Sequence, residues 1–519
     1  MFKQYIKRIG SLAILSAVLL VSCTDLEIKE TDSIFSAGEE GFNGVVDVEG
    51  SLTSLNNNIR GNLGDQAGTY ALLTVSTDEI FVPTRGTDWG DNGIWRSMHQ
   101  HTFTPSHNHI LTAWNQWNQA VFNASEIIDD RSNPSAEQAA EAKFLRAYSM
   151  YFVMDFFGQV PFRAPDEGPE ITPVVLTRAE AYGRILADLD GAIAGLSSSG
   201  PDLGVTRYAT VESAKFLKAR LLLNSGVYLG TGAPDAAALA EVITLVDEIA
   251  DKGFALQEGY FDIFKDTEDS ETIWWVNAGV GNRIWNGLHY NQNSPDNTGG
   301  GWNGFSTLAE FYDMYEGDPD QNTVGSGQEE RRGWVPDATN ADDSNLGIGY
   351  GYLLGQQYNA DGEALQDRAK RPLTFKKELP GLVGNDETTG IRVLKYHPVN
   401  GQSNEHQLVF RYSDAHLMKA EAYLWSGDAN KAAELVNELR TIRKASPLAT
   451  VGTKEMLDER GRELYKEFTR RMDMIRFGEF TRDWEFKDPS AVGDANKNLF
   501  PIPSNAILSN TNLEQNPGY

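Results

Sequence analysis

Two stretches of the sequence combine aromatic side chains with polar ones of the types that can hold a small polyhydroxylated ligand. In the first, Trp89 and Trp95 lie among glycine, aspartate and arginine residues. In the second, Trp285, Tyr290 and Trp302 lie in a segment rich in glycine and asparagine. A pyranose has an apolar C–H face and a rim of hydroxyls, so an aromatic ring can stack on the face while polar groups bind the rim. These two stretches are therefore our candidate sugar-binding surface.

Polar partners for this surface are expected close to Trp89. Asp78, Arg85, Asp88 and Asp91 flank this tryptophan within a short, loop-like stretch. Proximity in the sequence is the only argument for them, and the alternative is a solvated loop.

For each tryptophan the alternative to ligand binding is core packing. We expect core packing for Trp114, Trp117 and Trp425, which lie on helical faces. Trp274 and Trp275 are adjacent, and in an extended segment adjacent side chains point in opposite directions. One of these two is therefore expected in the core.

Other chemistry is weakly supported. The histidines at 99, 101, 107 and 109 could bind a metal, but a structural role is favoured because cysteine ligands are absent nearby. Residues 299–304 formally match a dinucleotide-binding glycine pattern, although no strand precedes them. A glycosidase needs two carboxylates at a set separation, and no pair stands out among 73 acidic residues. We therefore expect no catalysis, no cofactor and no bound metal.

Composition limits the class of protein. The chain has 519 residues, 40% of them hydrophobic, which is enough to bury a large core. Its formal net charge of −28 disfavours binding to a nucleic acid backbone, which requires clustered Lys and Arg. The same charge favours a neutral ligand over a polyanionic one, although a local basic cluster could override it.

The first 22 residues have the features of a secretion signal. Lys3, Lys7 and Arg8 precede an apolar run at 12–21 that is too short for a stable membrane span. The run ends before Cys23, the only cysteine, in a pattern that resembles the lipobox of bacterial lipoproteins. We expect a signal peptide at 1–22, a lipid anchor on Cys23 and a flexible tether at 23–35.

Beyond the tether, the pattern is mainly helical. Residues 112–256 show alanine-rich stretches with apolar residues at helical spacing, separated by Gly or Pro. Three similar cores at 144–147, 216–219 and 417–420 each lie in a predicted amphipathic helix. This repetition favours paired helices of the tetratricopeptide type, with a generic all-α bundle as the alternative.

The helical pattern is interrupted by an insertion. Residues 261–410 are rich in Gly, Asn, Asp and aromatic residues and have little helical periodicity. We expect an irregular, loop-rich subdomain there, between helical parts at 36–260 and 411–519 that together form one compact unit. Loops of this kind commonly carry the functional residues.

Several motifs, taken in order, resemble those of the SusD/RagB family. They are Ser76–Glu79 with Arg85, Gly86 and Trp89; the predicted helix at 142–157 followed by Gly158–Pro161; Arg411–Asp414 followed by Met418–Ala422; Glu459–Glu463; Arg470–Asp473 with Ile475 and Arg476; and the ending from Pro501–Pro503 to Gln515–Tyr519. The resemblance spans nearly the whole chain beyond the leader. It implies a tetratricopeptide-like paired-helix scaffold with a variable loop-rich region.

Two of these motifs have a structural interpretation. Glu459, Glu463 and Glu467 recur every four residues near Arg460, Arg470 and Arg471, which predicts an ion-pair network that stabilises a helix. The proline-containing C-terminal segments predict an extended strap across the scaffold, because proline cannot continue a helix.

The resemblance also implies a function. Members of this family are outer-membrane lipoproteins of Bacteroidetes that work with a SusC-like TonB-dependent transporter, usually in glycan capture, and they are not enzymes. It supports Trp89, Trp285 and Trp302 as stacking platforms and implies a lipid-anchored protein that faces the cell exterior. The alternatives are a family member that captures peptides or another non-glycan nutrient, an enzyme, and a purely structural subunit of the transporter.

Overall fold

A computed structural model gives the architecture of most of the chain. It describes residues 41–293, 298–341, 346–396, 398 and 406–519. The predicted signal peptide, the tether and Cys23 lie outside the described residues. Residues 43–519 form one compact unit. Within the described ranges, no helix combines the length and apolarity needed to cross a membrane.

The scaffold is mainly α-helical, as predicted. Its helices are α1 Val48–Gly64, α2 Ile94–Gln100, α3 Asn108–Ile128, α4 Ala136–Phe157, α5 Arg178–Gly195, α6 Leu203–Thr206, α7 Val211–Leu223, α8 Ser225–Tyr228, α9 Ala236–Ala250, α10 Gly281–Trp285, α11 Ala309–Tyr312, α12 Tyr412–Trp425, α13 Ala429–Ile442, α14 Thr453–Leu464, α15 Arg470–Arg476 and α16 Ser504–Ser509. Long helices that are consecutive in sequence pack on one another, from α3 on α4 through α12 on α13. Their pairing into tetratricopeptide-like units stays a prediction.

Helix α4 lies at the centre of the scaffold. A capping box formed by Ser135 and Gln138 starts it, and Gly158 ends it in a left-handed conformation. Every residue from 144 to 157 is buried. The prediction of an amphipathic helix around 144–147 is therefore wrong, because from residue 144 onward this helix is covered on all sides by its neighbours.

The strands are short. They are β1 Gln159–Phe162, β2 Val174–Thr177, β3 Thr272–Asn277, β4 Gly333–Trp334, β5 Tyr350–Leu353, β6 Gly355–Gln356, β7 Thr374–Phe375, β8 Arg392–Leu394 and β9 His406–Arg411. All pairings between these strands are antiparallel: β1 with β2, β3 with β9, β4 with β5, β5 with β8, and β6 with β7.

The predicted loop-rich insertion is closed at its base by one of these pairs. Strand β3 opens the irregular region and β9 ends it, with Asn277 opposite His406 and Thr272 opposite Arg411. Between them lie mainly short strands, single helical turns and loops. The insertion therefore leaves the helical scaffold and returns to it at the same place.

A buried ion-pair network joins the insertion to the scaffold. It has six cations, Arg331, Lys395, Arg411, Arg440, Arg443 and Arg462, and six carboxylates, Glu271, Glu316, Glu329, Glu459, Glu463 and Glu467. Glu459 and Glu463 on α14 are completely buried. The two signs are equal in number, so the charges compensate one another, and solvent reaches mainly Glu316, whose side chain is one-third exposed.

The predicted network therefore exists, but most of its partners differ from those expected. Glu459 and Glu463 bind arginines from the insertion, β9 and α13, because the face of α14 that carries them is buried against those elements. The predicted cations bind elsewhere: Arg460 pairs with Asp414 and Asp473, Arg470 with Asp78 and Arg471 with Asp155.

The C-terminal segment crosses the scaffold as predicted. Asn516 donates its side-chain amide to the carbonyls of Phe157 and Phe500 at 3.0 and 2.7 Å. Tyr519 donates its hydroxyl to the Leu499 carbonyl at 2.9 Å. The strap is interrupted by one short helix, α16, between its two extended parts.

Candidate ligand-binding surface

One exposed tryptophan dominates the candidate surface. Trp302 is 51% exposed, the most exposed large aromatic side chain among the described residues. Its backbone N–H donates to the Trp285 carbonyl at 2.7 Å, and the next residue, Asn303, donates to the Leu288 carbonyl at 2.8 Å. The Trp302 segment therefore lies directly against residues 285–290, and its backbone is fixed while its indole faces solvent.

The glycines around Trp302 allow this close approach. A Cβ at Gly301 would lie 2.0 Å from the Leu288 carbonyl oxygen, and one at Gly300 would lie 1.9 Å from that of Tyr290. Both distances are shorter than any real contact, so no side chain fits at either position. Backbone packing therefore accounts for the glycines at 300 and 301 without a bound dinucleotide.

Trp89 lies beside this segment and supports it. Its indole N–H donates to the Trp302 carbonyl at 2.8 Å. Its ring packs edge-on against Phe305, with centroids 5.4 Å apart, and directly over Gly304, where a Cβ would lie 2.3 Å from the ring. Trp89 is only half-buried but packs on the core. The two candidate stretches therefore meet at Trp89, and its role as a stacking platform stays a prediction.

The backbone of the Trp89 loop is strained. Trp89, Asp91 and Asn92 all have positive φ values, of 58°, 35° and 53°. Such values are unusual for bulky side chains and persist only where the surroundings enforce them. Reciprocal backbone hydrogen bonds between Arg85 and Asp88, at 2.9 and 3.0 Å, form the tight turn that leads into this conformation.

Tyr290 and Asp88 are the other predicted residues at this surface. The Tyr290 hydroxyl donates to a carboxylate oxygen of Asp88. The guanidinium of Arg368 lies 3.9 Å from the centre of the Tyr290 ring and within 3.4 Å of Asp88. Glu387 accepts hydrogen bonds from the Arg368 side chain and lies 3.1 Å from Nε2 of His289. These five side chains form one continuous hydrogen-bonded group.

The protonation states within this group follow from its environment. Burial, together with the hydrogen bond to Asp88, raises the pKa of Tyr290, so its hydroxyl is a donor at neutral pH. Burial lowers the pKa of His289 to about 4 and keeps the imidazole neutral. Partial burial would raise the pKa of Glu387, but hydrogen bonds from Arg368 outweigh it and lower that pKa. At pH 7 Tyr290 and His289 are therefore neutral, and Glu387 is ionised beside the guanidinium of Arg368.

Two predicted polar residues do not lie on the surface. Asp78 is 1% exposed and binds Arg470 and Arg482 at 2.6 and 2.7 Å. Arg85 is 4% exposed and donates to Ser306 and Thr389. Neither has room for a ligand, and their prediction as binding residues is not supported, because proximity to Trp89 in sequence does not reveal which way a side chain points.

Two predicted tryptophans also belong to the core. Trp95 and Trp285 are each 4% exposed, which leaves no ring face for a sugar. The Trp95 indole donates to the Asp91 carboxylate at 2.8 Å. Asp91 is itself exposed, but this hydrogen bond gives it a structural role at the start of α2. Trp95 and Trp285 therefore shape the surface from beneath.

The remaining tryptophans largely follow the predictions. Trp114 and Trp117 are in the core, whereas Trp425 is only half-buried, with its indole donating to Glu421. Trp274 is buried and Trp275 half-buried, as the alternation of an extended strand predicts.

The four clustered histidines each have a structural environment. Nε2 of His99, His101 and His107 lies 2.9, 2.7 and 3.1 Å from the backbone carbonyls of Glu485, Ser76 and Ile94. Burial lowers the pKa of all four, to about 4 for His99 and about 3 for His109. Within the described residues, no group of three or more His, Cys, Asp or Glu has the arrangement of a metal site.

The sequence pattern did not predict Arg368 and Glu387 as residues of this surface. Both belong to the insertion, far along the chain from Trp89 and Trp302, and no local motif surrounds them. Their position depends on loop conformations. The one available signal was the presence of charged residues among the loops of the insertion.

Comparisons with known proteins identify the relatives of this chain. The family model described as "SusD family" matches residues 270–519, and the one described as "Starch-binding associating with outer membrane" matches residues 92–206. The chain is similar to the starch-binding protein SusD of Bacteroides thetaiotaomicron, with 25% identity over 99% of each chain.

Solved structures share the fold. The surface glycan-binding protein A of Bacteroides uniformis superposes with a TM-score of 0.68 at 18% identity, covering 90% of this chain and 98% of that one. The Bacteroides thetaiotaomicron protein of the same name, solved in complex with laminarihexaose, gives a TM-score of 0.65 at 18% identity, covering 90% and 98%.

Proposed function

The chain belongs to the SusD family, and from this premise we propose that it is a cell-surface glycan-binding protein that captures oligosaccharides and passes them to a SusC-like TonB-dependent transporter. The observation that carries the proposal is the exposed indole of Trp302 on a fixed backbone, beside Tyr290 and a group of polar side chains. An exposed aromatic ring on a fixed backbone requires no backbone ordering on binding, and it matches the apolar face of a pyranose.

The names of the relatives support the ligand class. One relative is described as starch-binding, and one solved structure contains laminarihexaose. Both ligands are neutral glucans. The proposed surface has two carboxylates, Asp88 and Glu387, and one guanidinium, Arg368, so its local charge also favours an uncharged glycan.

The protein acts in this proposal by binding alone. Arg368 compensates part of the charge of Asp88 and Glu387, and the Tyr290 hydroxyl donates a hydrogen bond to Asp88. Carboxylates engaged in this way suit the binding of sugar hydroxyls better than the activation of water. We further propose that acylated Cys23 anchors the protein in the outer membrane, facing the cell exterior.

The test is retardation in native gels that contain starch, laminarin, xylan or polygalacturonate. We expect one neutral polysaccharide to retard the wild-type protein, and Trp302→Ala to abolish most of that retardation. About half of a tryptophan surface of 150–250 Å² is available for stacking, so its loss should cost on the order of 2 kcal/mol, or about thirtyfold in Kd.

Tyr208 provides the matched control. It is 48% exposed, close to the 51% of Trp302, but lies on the scaffold beside α6 rather than in the insertion. Tyr208→Ala should leave retardation unchanged. If none of the polysaccharides retards the wild type, glycan capture is wrong and capture of a peptide or a structural role in the transporter becomes the better hypothesis. Retardation by polygalacturonate alone would contradict the preference for a neutral ligand.

A further inference from the structure

The ring of Tyr290 is covered in the free protein. Arg368 lies with its guanidinium carbon 3.9 Å from the ring centre. This is the distance at which a stacked sugar would lie, so the guanidinium and a sugar cannot occupy the same ring face together. Tyr290 cannot move aside, because its hydroxyl is bound to Asp88 and its backbone carbonyl lies against Gly300.

The main chain that carries Arg368 is fixed. Asn291 donates its side-chain amide to the Gln366 carbonyl at 2.6 Å, which ties this turn to the residue after Tyr290. Backbone hydrogen bonds close the turn: the N–H of Asp367 donates to the Arg371 carbonyl at 2.8 Å, and the N–H of Lys370 donates to the Asp367 carbonyl at 3.0 Å. The backbone N–H of Arg368 donates to Glu387 at 3.0 Å. Any movement of Arg368 is therefore confined to its side chain.

That side chain is held at one point only. Its Nε donates closely to Glu387, but the side chain is 54% exposed and its contact with Asp88 is 3.4 Å long. Exposed ion pairs and cation–π contacts contribute little free energy, since water replaces them readily. Glu387 accepts from both the backbone and the side chain of Arg368, so it can retain the guanidinium in a displaced position.

We propose that Arg368 is a displaceable cover on Tyr290, which a neutral oligosaccharide replaces when it stacks on this ring. The inference rests on the proposed function, because it concerns the same surface. In the free protein Arg368 shields the ring from non-specific apolar contacts. In the complex the guanidinium leaves the ring while it stays bound to Glu387, and the hydroxyl of Tyr290 and the carboxylate of Asp88 stay in place beside the sugar.

A cover on Tyr290 and a direct contact between Arg368 and the sugar predict opposite effects of removing the Arg368 side chain. If Arg368 donated hydrogen bonds to the sugar, its removal would weaken binding. As a cover it competes with the sugar, so Arg368→Ala should tighten binding by about two- to fivefold, the range expected for an exposed cation–π contact. In a Tyr290→Ala background the same change should have no effect.

Arg371 provides the matched control. It lies on the same turn and is 58% exposed, but its partner is Asp367. Kd values for laminarihexaose, maltohexaose and xylohexaose would be measured by calorimetry for the wild type, Arg368→Ala, Arg371→Ala, Tyr290→Ala and the Arg368→Ala/Tyr290→Ala double variant. Arg371→Ala should match the wild type.

The position of the Arg368 side chain over Tyr290 can be measured by NMR spectroscopy without a ligand. In protein labelled with ¹⁵N-arginine, the Nε–H signal of Arg368 should be shifted upfield by the Tyr290 ring and should lose that shift in Tyr290→Leu. Addition of the hexasaccharide that binds should move the wild-type signal toward its position in Tyr290→Leu. Arg368→Ala identifies the signal by its absence.

The outcomes separate this inference from the proposed function. Binding that depends on Trp302, combined with an unshifted Arg368 signal or with weaker binding by Arg368→Ala, would overturn the cover and leave glycan capture standing. Unchanged affinity of Arg368→Ala would also overturn it. If no hexasaccharide binds, the proposed function and the cover fall together, whatever the Arg368 signal shows.

Discussion

Replacing Glu459 by glutamine tests whether the buried ion-pair network stabilises the fold as a balanced set of charges. Glu459 binds Arg331, Arg440 and Arg462 at 2.7, 2.6 and 2.6 Å and is completely buried. Glutamine has nearly the same shape but no charge. The variant therefore leaves one buried positive charge without compensation, which is far more costly than the loss of an exposed ion pair.

The size of the effect follows from the pKa of Glu459. Burial alone would raise this pKa, but the three arginines outweigh burial and lower it from 4.5 to about 2. That difference corresponds to about 3 kcal/mol at neutral pH, since each pKa unit is worth about 1.4 kcal/mol. Because the folded-state pKa is depressed, this stabilisation is present above about pH 4.5 and is lost as the pH falls toward 2.

The assay is chemical denaturation of the wild type and Glu459→Gln at pH 7 and pH 3. We expect a deficit of about 3 kcal/mol at pH 7, within the 3–5 kcal/mol typical of a broken buried pair. More than half of it should disappear by pH 3, where Glu459 protonates in the unfolded chain. Glu434→Gln, on the exposed face of α13 and 67% exposed, should cost less than 1 kcal/mol at both pH values.

Because the variant is compared with the wild type at each pH, the loss of stability that other groups cause at low pH cancels. The buried histidines weaken the fold of both proteins equally as the pH falls. A deficit below 1 kcal/mol at pH 7 would show that the arginines find other partners, and a deficit that stays constant down to pH 3 would show that charge is not its source. Either result would refute the reasoning.

Two further variants test the platform and the scaffold separately. Gly304→Ala places a methyl group 2.3 Å from the Trp89 ring and should weaken glycan binding at least tenfold in affinity gels. The control is Gly61→Ala, where no atom lies within 4 Å of the added methyl group, and it should not weaken binding. Equal binding by both variants would contradict the role of Trp89 as a support. Asp188→Asn breaks a buried pair with Arg146 at 2.6 Å and should lower the free energy of unfolding by about 3 kcal/mol in denaturation without changing Kd. Asp190→Asn, on the same helix but 61% exposed, is its control, and a changed Kd for Asp188→Asn would contradict the separation.

Much of the helical scaffold was predictable because helices are local. Periodic apolar residues, capping residues and glycines at helix ends lie within a few positions of one another. The all-round burial of α4 was not predictable in this way. Its apolar and aromatic residues were visible, but the elements that cover its outer face come from distant parts of the chain.

The ion-pair network shows the same limit. The spacing of Glu459 and Glu463 correctly indicated an ionic role. Their partners were wrongly assigned to neighbouring arginines, because sequence spacing identifies contacts along a helix and not across an interface. Arg331, more than 100 positions away, could be assigned only once the insertion was placed.

The candidate surface was partly predictable. The enrichment of aromatic residues among glycines indicated two stretches, and these do meet: Trp89 donates to the Trp302 carbonyl, and Tyr290 donates to Asp88. Which tryptophans face solvent depends on the loop backbone, so the sequence pattern does not show that Trp95 and Trp285 are buried. Arg368 and Glu387 approach Tyr290 from a different loop, which no pattern near Tyr290 indicates.

The closure of the insertion by β3 and β9 has a consequence for how such proteins can diversify. A segment whose two ends are hydrogen-bonded to each other can be exchanged as a cassette without rerouting the helices on either side. The exchange has one condition. Any replacement must bring equal numbers of positive and negative charges into the network, as Arg331 and Lys395 are matched by Glu316 and Glu329 here. New ligand specificity can thus be acquired in one step, provided that the charges the new segment adds to the network sum to zero.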